Sequence, residues 1–159
     1  MELSDLYSQR ILEIAGRLGD LPPLADADAR AKKVSRVCGS TIEVAVKLEN
    51  GKVSAYSHEV NACALGQTSA SVMAEHILGA TPDELRQLRN EMVAMLKDNG
   101  QPPSGERWVD LRYLEPVRAY RPRHTSTLLV FEAVVDCLDQ IDKDGQDHAA
   151  ELAVSPARH

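Results

Sequence analysis

Residues 41–60, with the sequence TIEVAVKLENGKVSAYSHEV, carry the pattern that decides the fold. From Thr41 to Glu49, apolar residues alternate with other residues at a period of two, which is typical of a half-buried β-strand. Asn50-Gly51 follows and predicts a type I′ turn, because both central positions of that turn need a positive φ. Lys52 to Val60 then runs back as a second strand, so the stretch predicts an antiparallel hairpin.

Counting outward from the turn gives a register for this hairpin in which charged residues oppose charged residues and apolar residues oppose apolar ones. The predicted pairs are Glu49 with Lys52, Leu48 with Val53, Val46 with Ala55, and Glu43 with His58. Continued past the strands, the same register puts Cys38 opposite Cys63, with His58 on the other face of the sheet. We therefore expect the two thiols to lie close together, with Gly39 and Asn61-Ala62 as places for a bulge or a strand end.

Around the hairpin the sequence predicts helices and one further, weakly patterned strand at residues 33–37. The predicted helices begin near the capping residues Ser4, Cys63, Thr81 and Thr125 or Ser126, and the last one ends at Ile141. Between the third and last helices we expect a linker rich in arginine. The fold class is therefore α+β, with a small three-stranded antiparallel sheet and helices packed on one face. Residues 1–141 are expected to form one domain, and residues 142–159 a flexible C-terminal tail.

The length, charge and cysteine content of the chain argue against several classes of protein. A chain of 159 residues fits one domain, and a net charge of -6 argues against a dedicated nucleic-acid binder, whose surface should be basic. The acidic start and the lack of an apolar run of about 18 residues predict neither a targeting segment nor a membrane span, so cytoplasm is the expected compartment. Three cysteines, an odd number, point to reduced thiols or metal ligation instead of a disulfide framework.

Two cysteines and one histidine are the candidate chemical groups. Cys63 precedes a predicted helix, whose free N–H groups favour a thiolate, and Cys38 is expected beside it as a second soft ligand. The alternative is that both fill the core as small apolar residues. Cys137 lies within the apolar arc of the last helix and is expected to be core. His124 is the best remaining ligand or proton donor. His58 and His76 are interpreted as surface residues, and the arginines as a solvated face or a docking patch for an acidic partner.

Three motifs in this order resemble the NifU-like N-terminal family of iron–sulfur cluster scaffolds, the IscU and SufU types. They are Cys38-Gly39-Ser40, then NACALGQTSASVM at residues 61–73, and Arg123-His124-Thr125 at the start of a helix. The resemblance covers roughly residues 6–141, and the stretch from Cys63 to Met73 is its most specific part. The long spacer between Cys63 and His124 is similar to that of the SufU branch. The implied fold is of the SufE/NifU type.

The family presents three cysteines and an aspartate around one exposed site. Cys38 and Cys63 match two of these cysteines, whereas Ser40 stands at the aspartate and Thr125 at the third cysteine. The resemblance therefore implies a site of Cys38, Cys63 and His124 for iron, an iron–sulfur cluster or zinc. Ser40 and Thr125 are weak candidates, because an alcohol is a poor ligand unless it loses its proton. A labile site, a site completed by a second subunit in a homodimer, and one completed by water are the open alternatives.

The function implied by the resemblance is that of a scaffold in iron–sulfur cluster assembly, without turnover as an enzyme. It would work with a cysteine desulfurase and with proteins that accept iron–sulfur clusters, and with neither nucleic acid nor membrane. One alternative is a sulfur acceptor, in which Cys38 or Cys63 takes a persulfide from the desulfurase while the arginines help it dock. The other alternative is a metal-free binding or regulatory module of the same fold.

Overall fold

The computed structural model describes residues 7–154, with side chains for residues 7–145. Its three strands form one antiparallel sheet and pair in the order in which they occur along the chain, which confirms the predicted α+β class. The predicted cap Ser4 lies outside the described residues, and Ser8 caps the first helix by accepting a hydrogen bond from the Ile11 amide. The elements in chain order are α1 Gln9–Gly16, β1 Ala29–Val34, β2 Thr41–Glu49, β3 Lys52–Asn61, α2 Ala64–His76, α3 Pro82–Lys97, 3₁₀ helices at Glu106–Ala119 and Arg121–Arg123, and α4 His124–Val154.

The hairpin forms at the predicted turn. Asn50 and Gly51 have φ values of 55° and 76°, as a type I′ turn requires. The first two pairs, Glu49 with Lys52 and Leu48 with Val53, also follow the predicted register. The ladder then shifts by one residue, because Ser54 has no opposite residue and its hydroxyl donates to the Lys47 carbonyl at 3.3 Å. Ser54 is therefore a β-bulge.

This bulge makes the rest of the predicted register wrong. Val46 pairs with Tyr56 and not with Ala55, and Glu43 pairs with Glu59 and not with His58. Because side chains alternate between faces, a shift of one residue turns each side chain of β3 to the other face. His58 consequently lies on the helix-covered face, where it is buried, and its Nε2 is 2.9 Å from the Gly19 carbonyl oxygen. Its interpretation as a surface residue is wrong.

The helices pack on one face of the sheet, as predicted. Helix α4 lies against β1 and β2, and α2 lies against β3 and α4. Phe131 of α4 is among the largest fully buried side chains of the core. The loop between α1 and β1 crosses the opposite face of the sheet. There the Ser57 hydroxyl donates a hydrogen bond to the Pro22 carbonyl oxygen of this loop, at 2.7 Å. The core thus lies between the sheet and α4.

The prediction of a linker before α4 is wrong, because much of this segment, Glu106–Ala119, forms a 3₁₀ helix. Four apolar residues in it are buried and recur every third position, which is the period of a 3₁₀ helix. These residues are Trp108, Leu111, Leu114 and Val117. The Trp108 indole also donates a hydrogen bond to Glu84 Oε2 at 3.1 Å. This segment therefore packs against the domain and carries part of its core.

The final helix was predicted to end at Ile141, and the structure shows that it continues to Val154. Arg86 of α3 contacts the carboxylates of both Asp139 and Asp142, one on each side of the predicted end. These ion pairs tie the turn after Ile141 to α3. The flexibility of residues 142–159 stays a prediction, and residues 155–159 lie outside the described part. Among the described helices, none is both long enough and apolar enough to cross a membrane.

Replacing Phe131 with alanine should strongly destabilise the fold. The side chain is 1% exposed, so its loss leaves a cavity and should lower the free energy of unfolding by about 3–5 kcal/mol. Leu12→Ala is the matched control, because Leu12 is 52% exposed and its truncation should cost less than about 0.5 kcal/mol. Urea unfolding monitored by circular dichroism measures both. Equal losses in the two variants would contradict this description of the core.

Candidate thiol and metal site

Two separate loops bring Cys38 and Cys63 to the same end of the hairpin. Strand pairing stops at Thr41 and Asn61, so neither cysteine belongs to the ladder. Cys63 is the N-cap of α2 and accepts no side-chain hydrogen bond in that role. Cys38 lies in the tight β1–β2 loop, where Gly39 adopts a φ of 74° and its amide donates to the Ser35 carbonyl at 2.8 Å. The loop leaves the Cys38 thiol exposed.

The Ser126 hydroxyl of the last helix lies beside the Cys63 thiol. Its Oγ lies 3.5 Å from the Cys63 Sγ, and it also takes part in the hydrogen bonding that lowers the pKa of Cys38. Ser126 is in the first turn of α4, and its Oγ is 3.2 Å from the Arg123 carbonyl oxygen. A residue on α4 therefore lies within reach of both cysteines, which supports the predicted proximity of the thiols.

Gly66 allows α2 and α4 to approach closely enough for this contact. A Cβ atom at this position would lie 2.9 Å from the Ala62 Cβ and 3.1 Å from the Ser126 carbonyl oxygen, too close for any other residue without movement. A buried hydrogen bond, from the Ser69 hydroxyl to the Thr127 carbonyl at 2.8 Å, holds the same two helices together. The start of α2, which carries Cys63, is thus fixed against the start of α4.

Hydroxyl groups surround the Cys38 thiol. The Ser40 Oγ is 2.9 Å from the Cys38 Sγ and the Ser35 Oγ is 3.5 Å from it. Partial burial raises the pKa of this thiol, but hydrogen bonds from Ser35, from Ser40 and from Ser126 outweigh that effect and lower the pKa to about 7. Cys38 is therefore about half thiolate at neutral pH, and a thiolate is the form that attacks electrophiles and binds metals.

Ser126 was missed by the sequence analysis, which placed Thr125 at this position by resemblance. In the structure Thr125 is exposed, whereas Ser126 is buried and contacts Cys63. Ser40 lies where it was expected, next to Cys38. The signal that could have found Ser126 is the helix start itself, because neighbouring residues of a helix point in different directions. Only a prediction of where α4 begins would have indicated that Ser126 is the residue that contacts Cys63.

The Nε2 atom of His124 contacts backbone carbonyls of the preceding 3₁₀ helix. The ring is buried, and its Nε2 lies 3.0 Å from the Val117 carbonyl oxygen and 3.2 Å from that of Arg118. Because both neighbours are acceptors, Nε2 carries the proton and Nδ1 carries the lone pair. Among the described side chains, no group of three or more histidine, cysteine, aspartate or glutamate residues could hold a metal ion. Cys38, Cys63 and His124 therefore do not form a three-ligand cluster among the described side chains.

The remaining cysteine lies in the core, as predicted. Cys137 of α4 is buried, and its Sγ is 3.8 Å from the Val44 carbonyl oxygen. Burial raises the pKa of this thiol to about 12, so it stays protonated at neutral pH. Cys137 is consequently unsuited to thiolate chemistry, whereas Cys38 is exposed and Cys63 is partly exposed.

Fold and site together define a small α+β protein that presents two cysteine thiols at one end of a β-hairpin. The chain belongs to the NifU-like N terminal domain family, whose sequence model matches residues 6–110. This confirms the resemblance found in the sequence.

Three known proteins show how far the similarity extends. The crystal structure of the N-terminal part of a nitrogen-fixing NifU-like protein from Brucella abortus is 52% identical with a TM-score of 0.85, and the match covers 89% of this chain and 97% of that one. The iron–sulfur cluster assembly scaffold protein IscU of Thermotoga maritima is 25% identical over 87% of this chain and 96% of its own length. A proposed SUF-system scaffold from Fervidobacterium islandicum shares the fold, with a TM-score of 0.76 at 19% identity, over 86% of this chain and 99% of that one.

The pKa of Cys38 predicts how its reactivity depends on pH. Alkylation by iodoacetamide should speed up as the pH rises through about 7 and then level off, since only the thiolate reacts. Ser40→Ala removes a hydroxyl that stabilises the thiolate, so the midpoint should move up towards 9.0. Mass spectrometry of the Cys38 peptide measures the rate. Ser54→Ala, at the bulge, is the control and should leave the midpoint in place. An unchanged midpoint in Ser40→Ala would contradict the assigned cause.

Proposed function

We propose that this protein is a scaffold in iron–sulfur cluster assembly, which holds iron or a transient cluster on Cys38 and Cys63 and passes it to acceptor proteins. The observation that carries the proposal is the position of the Ser126 hydroxyl, which lies 3.5 Å from the Cys63 thiol and contributes to the lowered pKa of Cys38. The Thermotoga relative, named an iron–sulfur cluster assembly scaffold protein, supports the same role. Free thiols fit a reducing compartment, so we place the protein in the cytoplasm.

The donor set explains why such cargo would be transient. Thiolates are soft ligands that suit iron–sulfur clusters and zinc, and the low pKa of Cys38 makes one of them available at neutral pH. The nearby hydroxyls of Ser40 and Ser126 are weak ligands, since they hold their protons. In this proposal His124 binds through Nδ1 only after the first turn of α4 has moved. The cargo is therefore held by few strong bonds, as transfer to another protein requires.

Anaerobic reconstitution tests this proposal. The wild-type protein, incubated with iron and sulfide and then desalted, should retain iron and show the visible absorption of thiolate-to-iron charge transfer. The double variant Cys38→Ser, Cys63→Ser should retain neither, because its alcohols replace both soft ligands. Cys137→Ser is the matched control and should behave like wild type, since Cys137 is buried.

Failure of this experiment has a definite interpretation. A wild-type protein that binds no iron, and whose melting temperature is unchanged by a chelator, would reject the scaffold role and leave a metal-free binding module of the same fold. Cargo that binds only the folded protein should instead raise its stability when present.

A second candidate function is that of a sulfur acceptor, and the exposure and low pKa of Cys38 favour it. The Cys38 thiolate would attack the terminal sulfur of a persulfide on a cysteine desulfurase. A new sulfur–sulfur bond forms on Cys38 as the old one breaks, and the donor cysteine leaves as a thiolate, so no external oxidant is needed. The hydroxyls that stabilise the Cys38 thiolate would equally stabilise the terminal sulfur anion.

Mass spectrometry tests the sulfur transfer. After incubation with a cysteine desulfurase and free cysteine, the wild-type chain should gain the mass of one sulfur atom, which peptide analysis locates on Cys38. Cys38→Ser should gain none. Cys63→Ser should still gain the sulfur, because the three serine hydroxyls that stabilise a thiolate act on Cys38 and not on Cys63. An unmodified wild-type protein, with the desulfurase shown to be active, would reject this candidate.

A further inference from the structure

The face of the sheet opposite the helices is only partly covered. Ser57, whose hydroxyl donates to the loop between α1 and β1, and Ala45 beside it are buried on this face. Beyond them an open groove continues towards the thiol end of the hairpin. It consists of two adjoining cavities of about 490 and 250 Å³, and Glu43 and Glu59 line both of them. This half of the sheet is therefore open to a partner.

Three charged side chains stand in one row across the groove. Lys32 of β1 pairs with Glu43 of β2, which pairs in turn with Glu59 of β3. Directly paired residues point to the same side of a sheet, so all three share the open face. Among the described side chains, none of the three makes an ion pair. Like charges opposite each other destabilise a sheet, so a cation from outside the chain would stabilise the Glu43–Glu59 pair.

The spacing of this row fits an extended segment that crosses the strands. Neighbouring strands lie about 4.8 Å apart, so Lys32 is about 7 Å from the midpoint between Glu43 and Glu59. In an extended chain, residues two positions apart point to the same side and are separated by about 6.7 Å. A segment with an acidic and a basic residue at that separation can place its carboxylate at Lys32 and its cation between the two glutamates.

The position of the groove suits a length of protein chain. The second cavity extends to Thr41 and Asn61, the last pair of the ladder before the thiol loops. Val34 follows Lys32 on the same face of β1 and is 53% exposed, so it offers an apolar contact beside the charged row. A segment docked here would hold its own protein next to the thiols without touching them.

We propose that the groove docks an extended segment of a partner protein, in which an acidic residue and a lysine or arginine stand two positions apart. The acidic residue pairs with Lys32, and the basic residue lies between Glu43 and Glu59. Exposed ion pairs are individually weak, so the segment binds transiently. The proposal concerns the sheet and not the thiols, so it can fail while the scaffold function stands.

A peptide titration of the isotope-labelled full chain, followed by nuclear magnetic resonance, tests the spacing. The probe is the blocked heptapeptide Gly-Ser-Glu-Thr-Arg-Ser-Gly, and the control peptide Gly-Ser-Thr-Glu-Arg-Ser-Gly has its two charges adjacent. The probe should shift the amide signals of residues 41–45 and 57–61 and bind about fivefold more tightly than the control. Equal binding of the two peptides, or no shift with either, would overturn the proposal. Shifts that grow with protein concentration alone would mean that a second copy covers the groove, and would also overturn it.

Charge reversal at Lys32 tests the assigned contacts. Lys32→Glu should weaken binding of the probe, because the acidic residue of the peptide then meets a third carboxylate. The same variant should bind the peptide Gly-Ser-Lys-Thr-Arg-Ser-Gly about fivefold more tightly than wild type does. Lys52→Glu makes the same charge change at the distant hairpin turn and should bind both peptides like wild type. If the two variants behave alike, general attraction to an acidic protein explains the binding, and the proposed contacts are wrong.

Discussion

The contact between the first turns of α2 and α4 is the constraint on which the site depends. Gly66 lies against the Ser126 carbonyl, where a side chain would collide, and the Ser69 hydroxyl bonds to the Thr127 carbonyl close by. The sheet determines where Cys63 leaves β3, but only this helix contact determines which group of α4 stands beside it. The rest of the helical layer continues from the same contact, because α4 goes on to cover β1 and β2.

Much of the fold could be predicted because its signals are local. The turn at Asn50-Gly51 needs positive φ values, and the cap of α3 is formed by Thr81, whose Oγ1 accepts from the Glu84 amide at 3.2 Å. The bulge at Ser54 could not be predicted, because Val53 and Ala55 on either side of it continue the alternation of apolar residues. The 3₁₀ helix was detectable through its three-residue period, which a search for the periods of helix and strand alone overlooks.

The candidate site, like the fold, combines features that the sequence predicts with features that it does not. The proximity of Cys38 and Cys63 follows from strand pairing, and it holds even though the assumed register does not, because both residues lie beyond the last ladder pair. The surroundings of the thiols depend on tertiary contacts instead. The choice of Ser126 over Thr125 depends on the rotation of α4, and the position of His124 depends on the carbonyls of the 3₁₀ helix. Neither can be obtained from spacing along the chain.

The bulge at Ser54 has a consequence for how chains of this fold can change in length. The hairpin strands differ by one residue between the turn and their last pair, and that odd difference puts Tyr56 and His58 on the covered face. Loss of Ser54 itself would remove the bulge and keep Tyr56 and His58 opposite Val46 and Val44, whereas loss of a residue farther along β3 would turn the side chains that follow it to the other face. A change of one residue in the length of this hairpin is therefore compatible with the sheet at the bulge, and beyond the bulge strand length is constrained by which face each side chain must occupy.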